Sequence, residues 1–183
     1  DKNLTWYKNN GQFNFSEKGI YEFVHNLLKE GENVDRTDKD GRTTLHWVVY
    51  QGNMDMVILL LEYKADIDKM DNFNRTPLMV AARMDRLDIA RFLLENKASV
   101  DKSTENICTP LYEAVRAGNA KMAQLLLDFG ASINGMNHHK WTPLYDAVCI
   151  GYLSMSRLLL GNKADVNKGD NIGMRPLSHA ANK

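Results

Sequence analysis

A period of 33 residues runs through most of the chain and limits the folds open to it. Tripeptides that end in Pro-Leu or Thr-Leu recur at this spacing, and apolar triplets recur in the second half of each unit. The tripeptides begin at Thr43, Thr76, Thr109, Thr142 and Arg175, and the triplets occupy residues 59–61, 92–94, 125–127 and 158–160. Regular self-similarity of this kind is typical of solenoids, in which a unit buries its apolar face only against its neighbours. The period therefore predicts a stacked array and not one closed core.

The unit resembles the ankyrin repeat, in which a turn leads into Thr-Pro-Leu-His, a short helix, a glycine, a second helix and a loop ending Ala-Asp-Val-Asn. Residues 38–46 (Asp-Lys-Asp-Gly-Arg-Thr-Thr-Leu-His) and 163–167 (Lys-Ala-Asp-Val-Asn) carry the resemblance almost letter for letter. It covers roughly residues 19–183 and implies an all-α solenoid of stacked helix-turn-helix units with finger loops. The implied division is an N-terminal cap with a degenerate repeat (1–37), four repeats (38–70, 71–103, 104–136, 137–169) and a partial C-terminal repeat (170–183).

The residues at each position of the unit suit the predicted helix ends. Thr accepts backbone N–H groups at a helix N-terminus, and Pro in the first turn loses no intrahelical hydrogen bond. The leucine that follows should point into the stack, with small residues beside it that let neighbouring units approach closely. These leucines are Leu45, Leu78, Leu111, Leu144 and Leu177. The first helix should end in a left-handed residue, which is Gly52, Gly118, Gly151 or, in one unit, Asp85.

Two positions depart from the ankyrin pattern. Lys64, Lys97 and Lys163 stand where glycine normally precedes Ala-Asp-Val-Asn. In a left-handed conformation each lysine would cost about 0.5–1 kcal/mol relative to glycine. At the turn position, the glycines Gly41 and Gly173 give way in the units between them to Asn74, Ile107 and Lys140. We therefore expect altered turns in the middle units.

The two ends of the chain differ from the central units. Residues 19–35 have the pattern of a second helix and loop, with a buried stripe formed by Ile20, Phe23, Val24, Leu27 and Leu28. We expect residues 1–18, which include Trp6, Tyr7, Phe13 and Phe15, to fold over the first unit as an irregular cap. Residues 170–183 contain only a turn and a first helix, so either the array continues in a longer protein or this half-repeat is a cap. Because the chain opens on Asp1 and carries no signal peptide, we interpret it as an excised segment.

Charge and hydropathy exclude several classes of protein. The chain has 23 Lys and Arg against 23 Asp and Glu, whereas a non-specific nucleic-acid binder needs a basic face. Its apolar runs are far shorter than the roughly 20 residues of a membrane span. We therefore predict neither nucleic-acid partners nor membrane insertion, and no feature predicts an obligate homo-oligomer.

No pattern in the sequence predicts catalysis, a cofactor or a metal site. The chain has no glycine-rich phosphate loop, no Gly-x-Ser-x-Gly elbow and no His-Glu-x-x-His pair. His46 stands in the Thr-x-Leu-His position, where the resemblance implies a structural hydrogen bond. Cys108, His138 and His139 lie on neighbouring fingers, but a closed zinc site needs four ligands and no fourth is evident. We interpret the two finger histidines as solvated or partner-contacting.

Two further features concern thiols and modification. Cys108 and Cys149 occupy different positions of successive units, so we do not expect a disulfide between them. Reduced thiols favour a cytoplasmic or nuclear location. Asn167, in the loop after the last triplet, is similar to the asparagine that an iron-dependent dioxygenase hydroxylates in some ankyrin proteins. We favour the interpretation that Asn167 stabilises its loop.

The resemblance implies that binding residues lie on the finger loops, which precede the first helices, and on the concave face that the first helices form. Transferred position by position, these places are rich in aromatic residues, Met and Arg, which interfaces favour. The predicted partner-binding residues are Trp47, Tyr50, Phe73, Arg75, Arg83, Met84, Glu113, Arg116, His138, His139, Trp141, Asp146 and Ile150. The alternative for Phe73 and Trp141 is packing on an adjacent finger. Glu113 and Arg116 are spaced to pair on one helix, with Arg83 beside them, so we expect a mixed charged centre flanked by aromatics.

These features predict a non-catalytic module that binds a partner protein or peptide, as the adaptor or scaffold part of a larger protein. We expect Phe73, Arg75, Arg83, Arg116 and Trp141 to form the energetic centre, so that alanine there weakens binding without lowering thermal stability. One alternative is a regulatory domain that binds a nucleotide or another anion, because such sites share aromatics and Arg. Another is the substrate receptor of a ubiquitin ligase, since residues 109–115 look like repeats of the receptor family that carries a SOCS box.

Overall fold

The protein is an array of paired helices. The computed structural model describes residues 17–102, 109–137, 139–170, 172–176 and 178. The helices in these ranges are α1 (Glu17–Lys29), α2 (Thr44–Gln51), α3 (Met54–Glu62), α4 (Pro77–Arg83), α5 (Leu87–Glu95), α6 (Pro110–Arg116), α7 (Ala120–Asp128), α8 (Pro143–Ile150) and α9 (Leu153–Gly161). The first helices α2, α4, α6 and α8 pack on one another in sequence, and each packs on the second helix that follows it. The described residues contain no strand, only an isolated bridge between Thr37 and Thr43. This architecture confirms the predicted all-α solenoid.

The first helices begin where the Thr-Pro sequences predict. The hydroxyl oxygens of Thr76, Thr109 and Thr142 accept hydrogen bonds of 3.1–3.3 Å from the backbone N–H three residues further on. The proline after each of these threonines occupies the first turn. At α2, which has no proline, the backbone N–H of Thr43 instead donates to Nδ1 of His46 at 3.2 Å. Each first helix is therefore anchored at its N-terminus by a side chain of its own unit.

The core is a layer of leucine and alanine side chains that runs through the whole stack. Leu45, Leu78, Leu111 and Leu144 are buried as predicted, whereas the side chain of Leu177 lies outside the described residues. The small residues beside them have no exposed surface, so successive first helices can approach closely. They are Ala81, Ala82, Ala114 and Ala147. Leucines of the second helices, such as Leu60, Leu93, Leu126 and Leu159, complete the same continuous core.

The predicted left-handed positions are confirmed. Gly52, Gly118 and Gly151 have φ of 85°, 78° and 86°, and Asp85 takes the same place with φ of 53°. The three lysines before the Ala-Asp-Val-Asn loops are left-handed too, namely Lys64 (φ 64°), Lys97 (φ 70°) and Lys163 (φ 65°). Each lysine therefore carries the backbone strain that glycine would avoid.

The expectation of altered turns in the middle units is wrong for Asn74 and Lys140. Both are left-handed, with φ of 57° and 59°, as Gly41 is with φ of 74°. All three donate the same backbone hydrogen bond, to the carbonyl oxygen of the residue three positions earlier, at 2.8–3.0 Å. The turn hydrogen bonds therefore determine the conformation, and a residue other than glycine accepts the strain. Ile107 lies outside the described residues.

Replacing Lys97 by glycine is expected to raise the free energy of unfolding by about 0.5–1 kcal/mol, because glycine adopts φ of 70° without steric cost. Urea denaturation followed by circular dichroism measures the change. A matched control is Lys121→Gly, on the exposed face of α7, which should lower stability by about 0.5–1 kcal/mol through lost helix propensity. Equal destabilisation by the two variants would contradict the strain at Lys97.

The first described helix agrees only in part with the predicted stripe. Val24 on α1 is buried, and Leu27 and Leu28 are half-buried. Phe23 is 49% exposed, so its assignment to the buried stripe is wrong. The face of α1 that packs on α3 also uses polar aromatic residues, since His25 contacts Tyr63 edge-on at 5.7 Å between ring centroids. Ile20 has no described side chain, and the expected cap of residues 1–18 lies almost wholly outside the described ranges.

A ladder of carboxylate and amide side chains links the loops between units. The side-chain oxygens of Asp35, Asp68, Asp101 and Asn134 each accept the backbone N–H of the residue 31 positions later, at 2.9–3.2 Å. The four acceptors stand 33 residues apart and belong to the Ala-Asp-Val-Asn region of the unit. Each one therefore orders the corresponding loop of the next unit. Asn167 is the next member of this series and is exposed; the loop-stabilising role favoured for its side chain stays a prediction.

Candidate functional site

Each described finger turn is closed by one acidic or amide side chain. Oδ1 of Asp38, Asp71, Asn137 and Asp170 accepts the backbone N–H groups of the residues two and four positions later, at 2.9–3.0 Å. An aspartate or asparagine is suited to this role because its short side chain reaches its own turn. The fingers are consequently ordered by their own sequence before any partner binds.

The other polar atom of each of these side chains, Oδ2 or Nδ2, has a different hydrogen-bond partner in each finger. Oδ2 of Asp38 accepts the indole N–H of Trp47 at 3.0 Å. Nδ2 of Asn137 donates to the Tyr112 hydroxyl at 2.8 Å. In each of these two cases the finger is tied to an aromatic residue of a first helix. Since Trp47 uses its only polar group in this way, its ring is left as an apolar surface.

Asp71 holds the second finger by an ion pair. Its Oδ2 accepts Nε and Nη2 of Arg75 at 2.8 and 2.6 Å, and Nε of Arg42 lies 4.0 Å away. Burial raises the pKa of Asp71, but the hydrogen bonds from the side chain and backbone of Arg75 outweigh it and hold the pKa below the ordinary value. The carboxylate is therefore charged and anchors Arg75 against the first helices.

Aromatic and arginine side chains alternate across the first two fingers. The guanidinium carbon of Arg42 lies 5.2 Å from the ring centroid of Trp47 and 5.9 Å from that of Phe73. The guanidinium of Arg75 covers Phe73 at 4.9 Å. Phe73 is nevertheless 55% exposed, so packing on its neighbours leaves much of its ring available. Phe73 therefore packs on the arginines of its own and the preceding finger, and it also exposes about half of its surface.

The concave face contains a pocket of about 450 Å³ that spans three units. Its walls include six of the predicted partner-binding residues, Trp47, Tyr50, Arg75, Arg83, Met84 and Glu113. They also include five residues absent from that prediction, Arg42, His46, Asp71, Met79 and Val80. The pocket brings the exposed ring of Tyr50 and the half-buried Trp47 and Met84 next to both signs of charge. Of the predicted mixed charged centre, it contains Arg83 and Glu113 but not Arg116.

Arg83 and Glu113 are the pocket charges left available. In the described part of the chain, neither takes part in an ion pair within 4.0 Å, and they do not pair with each other. The suggested pair between Glu113 and Arg116 is likewise not formed. Arg42, by contrast, lies 3.4 Å from Asp40, and Arg75 is bound to Asp71. The positive charge that a ligand can use is therefore concentrated on Arg83.

His46 closes the floor of the pocket as a neutral ring. Its Nδ1 is 2.9 Å from the Thr43 hydroxyl oxygen, and its Nε2 donates to the carbonyl oxygen of Arg75 at 3.0 Å. Burial lowers the pKa of His46 below its ordinary value, because the hydrogen bond to Arg75 and the nearby Asp71 only partly compensate for lost hydration. Both ring nitrogens are used within the stack, which agrees with the structural role that the resemblance implied.

A second group of aromatic residues lies on the fourth finger, outside the pocket. The ring centroids of His139 and Trp141 are 5.5 Å apart, and those of Trp141 and Tyr145 are 5.2 Å apart. Tyr145 is buried and donates its hydroxyl to Oδ2 of Asp170 at 3.3 Å; burial raises its pKa to about 12. Trp141 is half-buried. Trp141 thus packs on its own first helix and also presents a surface.

Asp146 is placed differently from the accessible residue that was predicted. It is only 5% exposed, and its Oδ2 has no hydrogen-bond partner among the described residues. Burial raises the pKa of Asp146, and the charge of Arg116 and a hydrogen bond from the Tyr112 hydroxyl offset this only in part. A buried carboxyl group on the inner side of α8 cannot contact a partner directly.

The remaining predicted residues are not brought into the pocket. Arg116 ends α6 and is exposed, and Ile150 ends α8 with 45% of its surface exposed. His138 lies outside the described residues. Asp71 was missed because the sequence prediction weighed residue types and did not follow the finger aspartate. Arg42 was placed on a finger by the sequence but was left out of the predicted partner-binding set. The signal was available: Asp38, Asp71, Asn137 and Asp170 recur at multiples of the 33-residue period.

Two features concern membranes and metals. Among the described helices, none is both long and apolar enough to cross a bilayer. Over the same ranges, no three His, Cys, Asp or Glu side chains are grouped as ligands of a metal ion would be. Cys108 and His138, which the zinc hypothesis needs, lie outside those ranges. Cys149 is half-buried and is not part of a disulfide within them.

Comparison with known proteins identifies the family of the chain. A family model described as ankyrin repeats (3 copies) matches residues 14–104 and 99–170. No curated protein matches the chain significantly. The family match spans all nine described helices, and it agrees with the turns, Thr-Pro helix starts and left-handed loop residues described above. The chain belongs to the ankyrin repeat family, whose repeats are generally protein–protein interaction modules.

Proposed function

We propose that this ankyrin array is a non-catalytic module that binds a partner protein or peptide on its concave face and finger loops, as the adaptor or scaffold part of a larger protein. The observation that carries the proposal is the pocket of about 450 Å³ on the concave face. It joins Trp47, Tyr50 and Met84 to Arg83 and Glu113, residues from three successive units. Tyr50 and Arg83 are exposed, and Trp47 and Met84 are half-buried. Aromatic, Met and Arg side chains in a concavity are the composition of an interface core.

The rigidity of the surface supports the same proposal. The finger turns are closed by Asp38 and Asp71, and Arg42 and Arg75 are fixed over Phe73 by Asp71 and the ring stacking. Side chains that are already ordered lose little conformational entropy on binding. A partner that contacts this surface therefore gains affinity without first having to order it.

The electrostatics of the pocket favour a polypeptide partner over a nucleotide or another anion. Two of the three arginines in its walls are compensated, Arg75 by Asp71 and Arg42 by Asp40 and Asp71. Glu113 places a further negative charge in the wall. A polyphosphate needs several uncompensated cations, and here one arginine would have to balance it beside a carboxylate. The role of ubiquitin-ligase substrate receptor is compatible with the proposal but rests on the resemblance of residues 109–115 alone.

Affinity capture from cell lysate with the full chain, quantified by mass spectrometry, tests the proposal. The variants are Trp47→Ala, Arg83→Ala and Trp141→Ala, and the controls are Arg91→Ala and Arg157→Ala on the second helices α5 and α9. We expect Trp47→Ala and Arg83→Ala in the pocket, and Trp141→Ala on the fourth finger, to lose captured partners about tenfold or more, as interface hot spots do. The controls should retain them. Loss in the controls with retention in the pocket variants would place the interface on the second helices and overturn the proposal.

Three companion expectations follow from the site. Arg83→Ala should leave the melting temperature unchanged, because Arg83 is exposed at the end of α4. Arg75→Ala should lower it, contrary to the sequence-based expectation, because Arg75 neutralises the buried Asp71. A thermal-shift titration with ATP should show no stabilisation.

We also propose a cytoplasmic or nuclear location, supported by the presence of only two cysteines. We propose further that the chain does not bind nucleic acid, does not insert into a membrane and does not form an obligate homo-oligomer.

A further inference from the structure

The pocket on the concave face has walls of two kinds, arranged along the stack. At the α2 end the walls are the ring of Trp47 and the half-exposed ring of Tyr50, whose centroids lie 6.3 Å apart edge to face. The indole N–H of Trp47 is already donated to Asp38. Arg42 lies over the Trp47 ring at 5.2 Å, but its charge is paired with Asp40 and Asp71. This end therefore offers an aromatic surface whose indole donor and neighbouring arginine are already used within the protein.

The charged walls that form no ion pair among the described residues lie at the α4 and α6 end. Arg83 comes from α4 and Glu113 from α6, and Val80 of α4 is a half-buried apolar floor residue. Within the described residues, Arg83 and Glu113 are the two charged wall residues outside any ion pair. His46 adds no charge, because burial lowers its pKa and both of its nitrogens are hydrogen-bonded. The usable charges are thus one cation followed by one anion.

This order of walls constrains the ligand. A simple anion would satisfy Arg83 but would approach the carboxylate of Glu113, and a simple cation would meet the opposite conflict. An apolar ligand would desolvate both charges without pairing either. A chain that carries an apolar group, an acidic group and a basic group in that order satisfies every wall. A polypeptide is the molecule that presents such groups at fixed intervals.

The spacing follows from the stack. Neighbouring helices pack about 8–10 Å apart, and an extended peptide advances about 3.3–3.6 Å per residue. Groups that face successive first helices are therefore separated by about three residues of ligand. The charge-assisted hydrogen bond from Arg83 would fix the register, with the apolar group on one side of it and the basic group on the other.

We propose that the pocket takes an extended peptide with an apolar side chain against Trp47 and Tyr50, an acidic side chain on Arg83 and a basic side chain on Glu113, at intervals of about three residues. The proposal rests on the proposed function and specifies the chemistry of the partner. The peptide runs in one of the two chain directions along the groove. Tyr50 and Arg83 are exposed, so the groove is open to a segment that enters from the side.

Selection from a random peptide library against the full chain tests the proposal, with Arg83→Glu and Glu113→Lys as parallel baits. Arg91→Glu, on the exposed face of α5, is the matched control. We expect the wild type to enrich the apolar–acidic–basic order. Arg83→Glu should change only the acidic position to basic, and Glu113→Lys should change only the basic position to acidic. Arg91→Glu should enrich the wild-type pattern.

Fluorescence polarisation with one enriched peptide makes the test quantitative. Arg83→Glu should weaken the wild-type peptide about 10- to 100-fold, the range of a lost charge-assisted hydrogen bond. A second peptide, in which lysine replaces the acidic residue, should bind the Arg83→Glu protein more tightly than it binds the wild-type protein. Equal melting temperatures of all baits, measured by circular dichroism, exclude loss of folding as the cause.

The outcomes separate this proposal from the proposed function. Enriched peptides whose pattern does not change in Arg83→Glu or Glu113→Lys would overturn the pocket chemistry and leave peptide binding intact. No enrichment by any bait would overturn the peptide ligand. In that event, the proposed function stands only if lysate capture still depends on Trp47 and Arg83.

Discussion

Replacing Asp71 by alanine is expected to lower the free energy of unfolding by about 2–4 kcal/mol. Asp71 is 4% exposed, and its carboxylate accepts the backbone N–H groups of Phe73 and Arg75 as well as the guanidinium of Arg75. Alanine removes the acceptor for all of them. The estimate is below the full cost of breaking a buried pair, because Arg75 remains partly exposed and water can replace part of its contact. Urea denaturation at neutral pH measures the loss.

Replacing Asp71 by asparagine distinguishes the contribution of the turn hydrogen bonds to stability from the contribution of the ion pair with Arg75. Asp71→Asn keeps an oxygen that can accept the two backbone N–H groups, as Asn137 does in the fourth finger. It loses the ionic contact with Arg75. We expect Asp71→Asn to be destabilised by roughly half as much as Asp71→Ala. If both variants were as stable as the wild type, the finger would not depend on this carboxylate.

The difference in stability between the wild type and Asp71→Asn should depend on pH, because it depends on the pKa of Asp71. That pKa is held below its ordinary value of 3.8, so the unfolded chain binds a proton more readily than the folded one. The stabilisation is therefore complete above the unfolded-state pKa and is lost as pH falls through the folded-state pKa. The stability difference between the wild type and Asp71→Asn should be constant at neutral pH and shrink below about pH 4.

Replacing Leu111 by alanine is expected to lower the free energy of unfolding by about 2–5 kcal/mol. Leu111 is fully buried on α6, which packs against α4, α7 and α8 at the centre of the array. Removal of its side chain leaves a cavity in a layer that joins three units. Because a solenoid is stabilised mainly by contacts between neighbours, the defect should also weaken cooperativity between the two halves. Urea denaturation followed by circular dichroism detects a broader transition.

A leucine at the surface of the same stack is the control. Leu160 belongs to the recurrent leucine triplet of α9 but is 45% exposed. Leu160→Ala should cost less than about 1 kcal/mol, since much of its surface is already in water. A similar loss in the two variants would indicate that burial in the stack does not determine stability.

The fold could be predicted from the sequence because each structural position is repeated, so that the same residue preference is seen in several units. Thr before Pro, the inward leucine and the left-handed loop position each occur in several units, and their physical requirements are local. Even the lysines at 64, 97 and 163 could be assigned a left-handed backbone from their register alone. The prediction failed where a local rule was applied without the neighbouring hydrogen bonds. Asn74 and Lys140 kept the turn because Asp71 and Asn137 close it from the side.

The candidate site could be predicted only in part, because exposure and pairing depend on contacts between units. Trp47, Arg83 and Glu113 were found from their positions on the first helices. Asp146 occupies the same helix position as Glu113, yet it is buried against Tyr112 of the preceding unit. The period gives the position of a residue within its unit. It does not give the size of the side chain that faces it from the unit before.

The most direct test of the account is to map the bound peptide by NMR. Two-dimensional ¹H–¹⁵N spectra of the full chain are recorded with and without an enriched peptide. We predict shift changes at the indole N–H of Trp47 and at the backbone of Phe73, Arg83 and Glu113. Shift changes confined to the second helices and their ends, such as at Arg91, at Arg157 and at Phe129 directly after α7, would contradict binding on the concave face.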